Sequence, residues 1–161
     1  MPTIVLTENP DTFIASGLLE NQQLTVLGLG GNDKIFGGTS NDSLHGGNGR
    51  DYLRGDVPSA VNGAGGEDYL YGGADNDLLE GAFKDDSLYG DDGDDELHGG
   101  SDNDLLFGGT GNDRAFGGSG DVSHFQRHGR RPLGRRIGQR FPLGRRQFHR
   151  RAGCADRRRR Q

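Results

Sequence analysis

Aspartate recurs along this chain at intervals of nine: Asp33, Asp42 and Asp51, then, after a gap, Asp68, Asp77, Asp86, Asp95, Asp104 and Asp113. A carboxylate can act as an acid or base, as a nucleophile, or as an oxygen ligand for a hard cation. Catalysis needs one or two carboxylates in unlike environments. Many copies in one register fit the third use, because calcium gathers about six to eight oxygens in a flexible shell, carboxylates and backbone carbonyls alike.

Each of these aspartates is the sixth residue of a nine-residue unit. The units read GLGGNDKIF from Gly28, GGTSNDSLH from Gly37 and GGNGRDYLR from Gly46, then, past an insert GDVPSAVN at 55–62, GAGGEDYLY from Gly63 and GGADNDLLE from Gly72. GAFKDDSLY from Gly81, GDDGDDELH from Gly90, GGSDNDLLF from Gly99 and GGTGNDRAF from Gly108 complete the series. Position eight is apolar throughout: Ile35, Leu44, Leu53, Leu70, Leu79, Leu88, Leu97, Leu106 and, smallest, Ala115.

Glycine at the start of a unit suits a backbone that turns sharply through positive φ, and position four holds mostly residues that tolerate such geometry. Three residues such as DLL then make a minimal strand, with position eight inward and its neighbours outward. A strand this short cannot stand alone. Turn-and-strand units wound as a coil pair each strand with its counterpart one coil later, so the pattern predicts a parallel solenoid with two units, eighteen residues, per coil.

One apolar side chain per unit is a thin core, and stacking brings one aspartate per coil into line on each side, where like charges repel. A cation between successive same-side turns answers both problems. Its ligands are expected from the nine aspartates, with the turn backbone of Gly46, Gly47, Gly49, Gly63, Gly66, Gly72, Gly73, Gly90, Gly93, Gly99, Gly100, Gly108, Gly109 and Gly111. The register across the insert stays open. If 55–62 replaces a half-coil, Asp33, Asp51, Asp68, Asp86 and Asp104 form one row and Asp77, Asp95 and Asp113 the other; if it loops out, Asp42 stacks on Asp68 and Asp51 on Asp77.

These units resemble the haemolysin-type calcium-binding nonapeptide of RTX proteins, GGxGxDxUx, over about 90 residues. Leu29, Ala64, Ala82 and Asp91 depart from it at position two. The resemblance implies a right-handed parallel β-roll with several Ca2+ ions, unfolded at low cytosolic calcium and folded outside the cell. It also implies a bacterial protein exported by a one-step, type I secretion apparatus that reads an uncleaved C-terminal signal. An extracellular location without an N-terminal signal peptide is the expectation.

The chain has 161 residues, 31 of them glycine, and only 30 % are hydrophobic, which excludes an ordinary thick-cored globule. MPTIVLTENPD lacks the basic and apolar segments of a signal peptide, and no apolar run is long enough to span a membrane. Cys154 is the single cysteine, so no internal disulfide forms. Residues 1–27 carry strand-like TIVLT and LTVLG with a looser middle and are expected to cap the first coil.

Charge divides the chain: residues 1–120 hold 22 acidic and 5 basic groups, net −17, and 121–161 hold 2 and 14, net +12. The repeat frame fades after Gly117, where Val122 stands in place of aspartate, into an Arg-rich tail. For that tail three readings stand side by side: a frameshifted, non-native end, because CGN arginine codons read one base later become GNC codons; a basic arm for nucleic acid or an anionic surface; and a disordered segment. No recognisable export signal lies in it.

GDDGDDE at 90–96 lacks the register of an EF-hand, and GLGG at 28–31 lacks the helix and lysine of a phosphate loop. His45 and His98 sit at position nine, facing outward, and Tyr52, Tyr69, Tyr71 and Tyr89 flank the apolar positions, where covering a thin coil explains them. No nucleophile with a paired base stands out, so the reading is non-enzymatic. Three function classes remain: a calcium-binding module of an exported protein, an interaction protein acting through its tail, and a degenerate Gly/Asp linker.

Overall fold

The computed structural model describes residues 1–16, 19, 21–57 and 64–120 with their side chains, and 124–128 as backbone. Thirteen short strands make it up: β1 (Thr3–Val5), β2 (Thr12–Ile14), β3 (Thr25–Leu27), β4 (Lys34–Phe36), β5 (Ser43–Asn48), β6 (Tyr52–Arg54), β7 (Tyr69–Ala74), β8 (Leu78–Ala82), β9 (Ser87–Asp92), β10 (Glu96–Ser101), β11 (Leu105–Thr110), β12 (Arg114–Ser119) and β13 (His124–His128). Odd-numbered strands form a seven-stranded sheet and even-numbered strands a six-stranded one, each in sequence order. All pairings are parallel. The chain is thus an all-β parallel solenoid consistent with a β-roll, and its described strands lie within one compact unit, Met1–Arg130.

Consecutive strands alternate between the two sheets, so a strand meets its partner two units later. Leu88 lies beside Leu106 and Leu79 beside Leu97, each eighteen residues on. Position eight points inward in both sheets. Ile4, Val26, Leu44, Leu70, Leu88 and Leu106 form one column, and Phe13, Ile35, Leu53, Leu79, Leu97 and Ala115 the other. From Ile35 to Leu106 these side chains are fully buried. Burying apolar area in this way stabilises the coil in proportion to the area removed from water.

Across the insert, Leu44 pairs with Leu70 and Leu53 with Leu79, twenty-six residues on rather than eighteen. Both columns run unbroken across the added length. At the N-terminal side, β1 and β3 arise from TIVLT and LTVLG, and the stretch between them adds a further strand, β2, paired with β4. Of the expected Arg-rich tail, 121–161, His124–His128 is described as β13, paired in parallel with β11, and residues 121–123 and 129–161 lie outside the described residues.

The turn chemistry differs from the expectation in one respect. Positive φ falls not on the first glycine of a unit but on positions two and four, as at Gly73 (φ 115°) and Gly93 (φ 157°). Ala82 (φ 94°) and Lys84 (φ 80°) accept the same left-handed geometry without glycine's freedom. The first glycine serves another purpose. A Cβ on Gly46 would meet Oδ2 of Asp51 and come within 2.6 Å of the Gly72 carbonyl oxygen, so glycine there makes room for the carboxylate.

Candidate metal site: the stacked turns

Position six is where each turn enters its strand, and its side chain folds back under the turn. All nine in-frame aspartates are buried, none more than 6 % exposed. Each uses Oδ1 to accept the backbone N–H of the sixth-position residue one coil earlier. In one row Asp33 N–H donates to Asp51 (2.8 Å), Asp51 to Asp77 (2.8 Å), Asp77 to Asp95 (2.9 Å) and Asp95 to Asp113 (3.1 Å). In the other, Asp42 donates to Asp68 (2.7 Å), Asp68 to Asp86 (2.8 Å) and Asp86 to Asp104 (3.1 Å). The N–H groups of Asp11 and Leu24 start the two rows on Asp33 and Asp42. Of the two registers left open by the sequence, the looped-out one is present.

Oδ2 is the other half of the carboxylate, and in eight of the nine it is buried with no hydrogen-bond partner: Asp33, Asp51, Asp68, Asp77, Asp86, Asp95, Asp104 and Asp113. It packs over the opening glycine of its own unit, near the carbonyl of the next same-side turn, as at Gly90 beneath Asp95 and Gly108. A buried anionic oxygen without a donor is costly. Burial, reinforced by neighbouring carboxylates, pushes Asp77 up to about 8 and Asp86 up to about 9, against the opposing backbone hydrogen bond each accepts. Asp68 rises to about 8, and Asp51, Asp95 and Asp104 to about 6, again by burial first. Asp33 and Asp42 are raised for the same reason.

Position five carries a second ladder that the repeat pattern did not announce. There the side chain accepts the N–H of the fifth residue one coil later: Arg50 N–H to Asn32 Oδ1 (2.9 Å), Asp94 to Asn76 (2.9 Å) and Asn112 to Asp94 (2.7 Å). Glu67 N–H to Asn41 and Asn103 N–H to Asp85 do the same on the other side. The two ladders run in opposite directions along the coil. Their shared signal is the dipeptide Asn-Asp at 32–33, 41–42, 76–77, 103–104 and 112–113.

Of the expected turn glycines, Gly46, Gly72, Gly90, Gly99 and Gly108 lie against the buried carboxylates, and Gly47, Gly49, Gly73, Gly93, Gly100, Gly109 and Gly111 supply left-handed turn backbone. Gly66 packs against Ser40 of the preceding turn. Gly63 lies outside the described residues. The opening place in the Asp68 unit belongs instead to Gly55, over which Oδ2 of Asp68 packs, and Asp56 beside it is fully buried.

The family model of the RTX calcium-binding nonapeptide repeat matches in four copies, over residues 27–57, 61–88, 71–106 and 98–121, more than half of the chain. The chain belongs to this family. No curated protein and no solved structure matches it. RTX repeats of this kind bind calcium through a β-roll, and the chemistry of these turns fits that ion. Among the described residues no three carboxylate, imidazole or thiol groups converge on one point. Beside the opening glycines that Oδ2 of Asp33, Asp51, Asp68, Asp77, Asp86 and Asp95 pack over stand instead backbone carbonyls of the next same-side turn, hard donors of the type calcium accepts.

Among the described residues, the outer faces of the RTX coil carry no comparable constellation. His45, Tyr71, Tyr89 and Phe107 stack ring on ring, with centroids 4.7, 4.9 and 5.0 Å apart, a spacing set by the strands themselves. His98 bonds Glu96 and stacks on Phe116, and Tyr52 donates to Glu80, which also pairs with Arg54. No described helix is long and apolar enough to cross a membrane.

Proposed function

We propose that the stacked turns are calcium sites, that cation uptake drives folding of this RTX coil, and that the coil is a non-catalytic module working outside the cell. The observation that carries the proposal is the set of eight buried Oδ2 atoms with no donor. The ions would be held by Oδ2 of Asp33, Asp51, Asp68, Asp77, Asp86, Asp95, Asp104 and Asp113 together with carbonyls of the glycine turns, while Asp42 stands apart because its Oδ2 is already bonded.

When bound, calcium supplies the positive charge and the coordination that these carboxylates lack. The chain's own contribution is to orient them. The Oδ1 bond to the neighbouring coil fixes each side chain, the opening glycine leaves space beside it, and positive φ at positions two and four directs the turn. Several linked sites make folding depend steeply on the ion. Extracellular modules hold calcium with dissociation constants of about 10⁻⁴ to 10⁻³ M, which suits a chain that stays unfolded inside the cell and folds after export by a type I apparatus.

Titration calorimetry of the calcium-stripped full chain tests the binding. Uptake of several calcium ions, with no comparable heat from magnesium at equal ionic strength, is the expected result. No calcium uptake refutes the proposal.

A further inference from the structure

The described ends of the insert-bearing turn, 55–57 and 64–68, are built unlike the other turns. Asp42, in the turn below it, is the one in-frame aspartate whose second oxygen is satisfied: Gly38 N–H donates to its Oδ2 at 2.6 Å while Leu24 N–H donates to Oδ1 at 2.7 Å. The junction between turns 37–42 and 55–68 therefore lacks the orphaned oxygen that marks the rest. Backbone and ladder bonds cross it as they cross other junctions. Val57 N–H donates to the Gly38 carbonyl, and Glu67 N–H donates to Asn41 Oδ1.

Within the insert, Asp56 stands outside the nine-residue frame and is 0 % exposed. Both its oxygens are used. Oδ1 accepts Gly66 N–H (3.2 Å), closing the looped turn, and Oδ2 accepts Phe83 N–H (3.1 Å) from the following same-side turn. Arg54 fixes the same spot by donating from Nε to the Asp56 carbonyl (3.0 Å) and from Nη1 to Glu80 (2.8 Å). The turn so gripped, Gly81–Asp86, is the one that places Ala82 and Lys84 at positive φ.

We propose that the insert is a protein-made lock in the coil: the junction between turns 37–42 and 55–68 takes no calcium, and the Asp56 carboxylate clamps turn 55–68 to turn 81–86. This rests on the calcium reading only for the contrast with the other junctions. A carboxylate that already accepts two N–H groups has both oxygens hydrogen-bonded, whereas one with a bare, buried oxygen leaves that oxygen for an ion. The lock secures the seam where the chain interrupts its period and where the turn sequence is poorest in glycine.

Two measurements on the full chain test it. Bound calcium is counted by equilibrium dialysis for wild type, Asp42→Asn, Asp51→Asn, Asp56→Ala and Asp56→Asn, and amide exchange at Phe83 and Gly66 is followed in wild type and the two Asp56 variants. Asp51→Asn is expected to lose one ion and Asp42→Asn none, while Asp56→Ala exchanges about tenfold faster or more at Phe83 with an unchanged ion count. An ion lost in Asp42→Asn or Asp56→Asn, or unchanged exchange at Phe83, overturns the lock and leaves the calcium reading intact. If wild type binds no calcium, the calcium reading falls, and exchange at Phe83 alone decides the clamp.

Discussion

In every repeated aspartate but Asp42 the two oxygens have different duties. Oδ1 holds the N–H of the neighbouring coil, and Oδ2 lies buried without a donor. Asparagine separates the two, since it keeps one acceptor and removes the charge. Asp95→Asn should weaken calcium uptake at neutral pH yet leave the β signal in chelator at pH 5 no lower than wild type, whereas Asp95→Ala lowers both; far-UV circular dichroism with and without calcium distinguishes them. Protonation acts in the same sense. The folded-state values of Asp77, near 8, and Asp86, near 9, lie above the ordinary carboxylate value, so the folded coil binds more protons than the unfolded chain between them. That contribution to stability is full at low pH and is lost as pH rises through about 8 to 9. In chelator the β signal should therefore be larger at pH 5 than at pH 8, and calcium should erase the difference. The aspartates and the inward leucines were legible as a bare period of nine. The division of labour between Oδ1 and Oδ2 was not, because it depends on where the neighbouring coil places an N–H.

At the scale of the element, a unit is a turn that must be rebuilt identically every eighteen residues, and the fifth- and sixth-position ladders tie each turn to both neighbours. Asp94 shows the fifth-position bond at its clearest, accepting from both N–H and Nδ2 of Asn112. Asp94→Ala should cost about 1 kcal/mol of stability in calcium, read from a urea midpoint; no change would mean the ladder is incidental. This ladder escaped the sequence because Arg50 and Glu67 share position five with the asparagines and aspartates, so no single residue type marks it. The turn glycines were legible as glycines but not in their roles. Room for a carboxylate at position one and left-handed backbone at positions two and four favour the same residue, and only the geometry separates them.

Across the described coil, two continuous rows of aspartates run its length, and the insert at 55–62 leaves both in register. The letters GAGGED allow Gly63 to stand in the frame where the coil uses Gly55, because a loop within a unit carries no period of its own. A stacked array also makes position along the row matter. Asp95 has Asp77 on one side and Asp113 on the other, and Asp113 lies at the end. Asp95→Asn should therefore shift the calcium midpoint of folding further than Asp113→Asn, and equal shifts would count against coupling between turns. The central claim, that the ion completes the fold, is tested most directly by far-UV circular dichroism of the full chain titrated from chelator to about 10 mM calcium, with magnesium as control. A cooperative gain of β signal with calcium alone is the predicted result; a coil already formed in chelator at neutral pH, or one that calcium leaves unfolded, would contradict it.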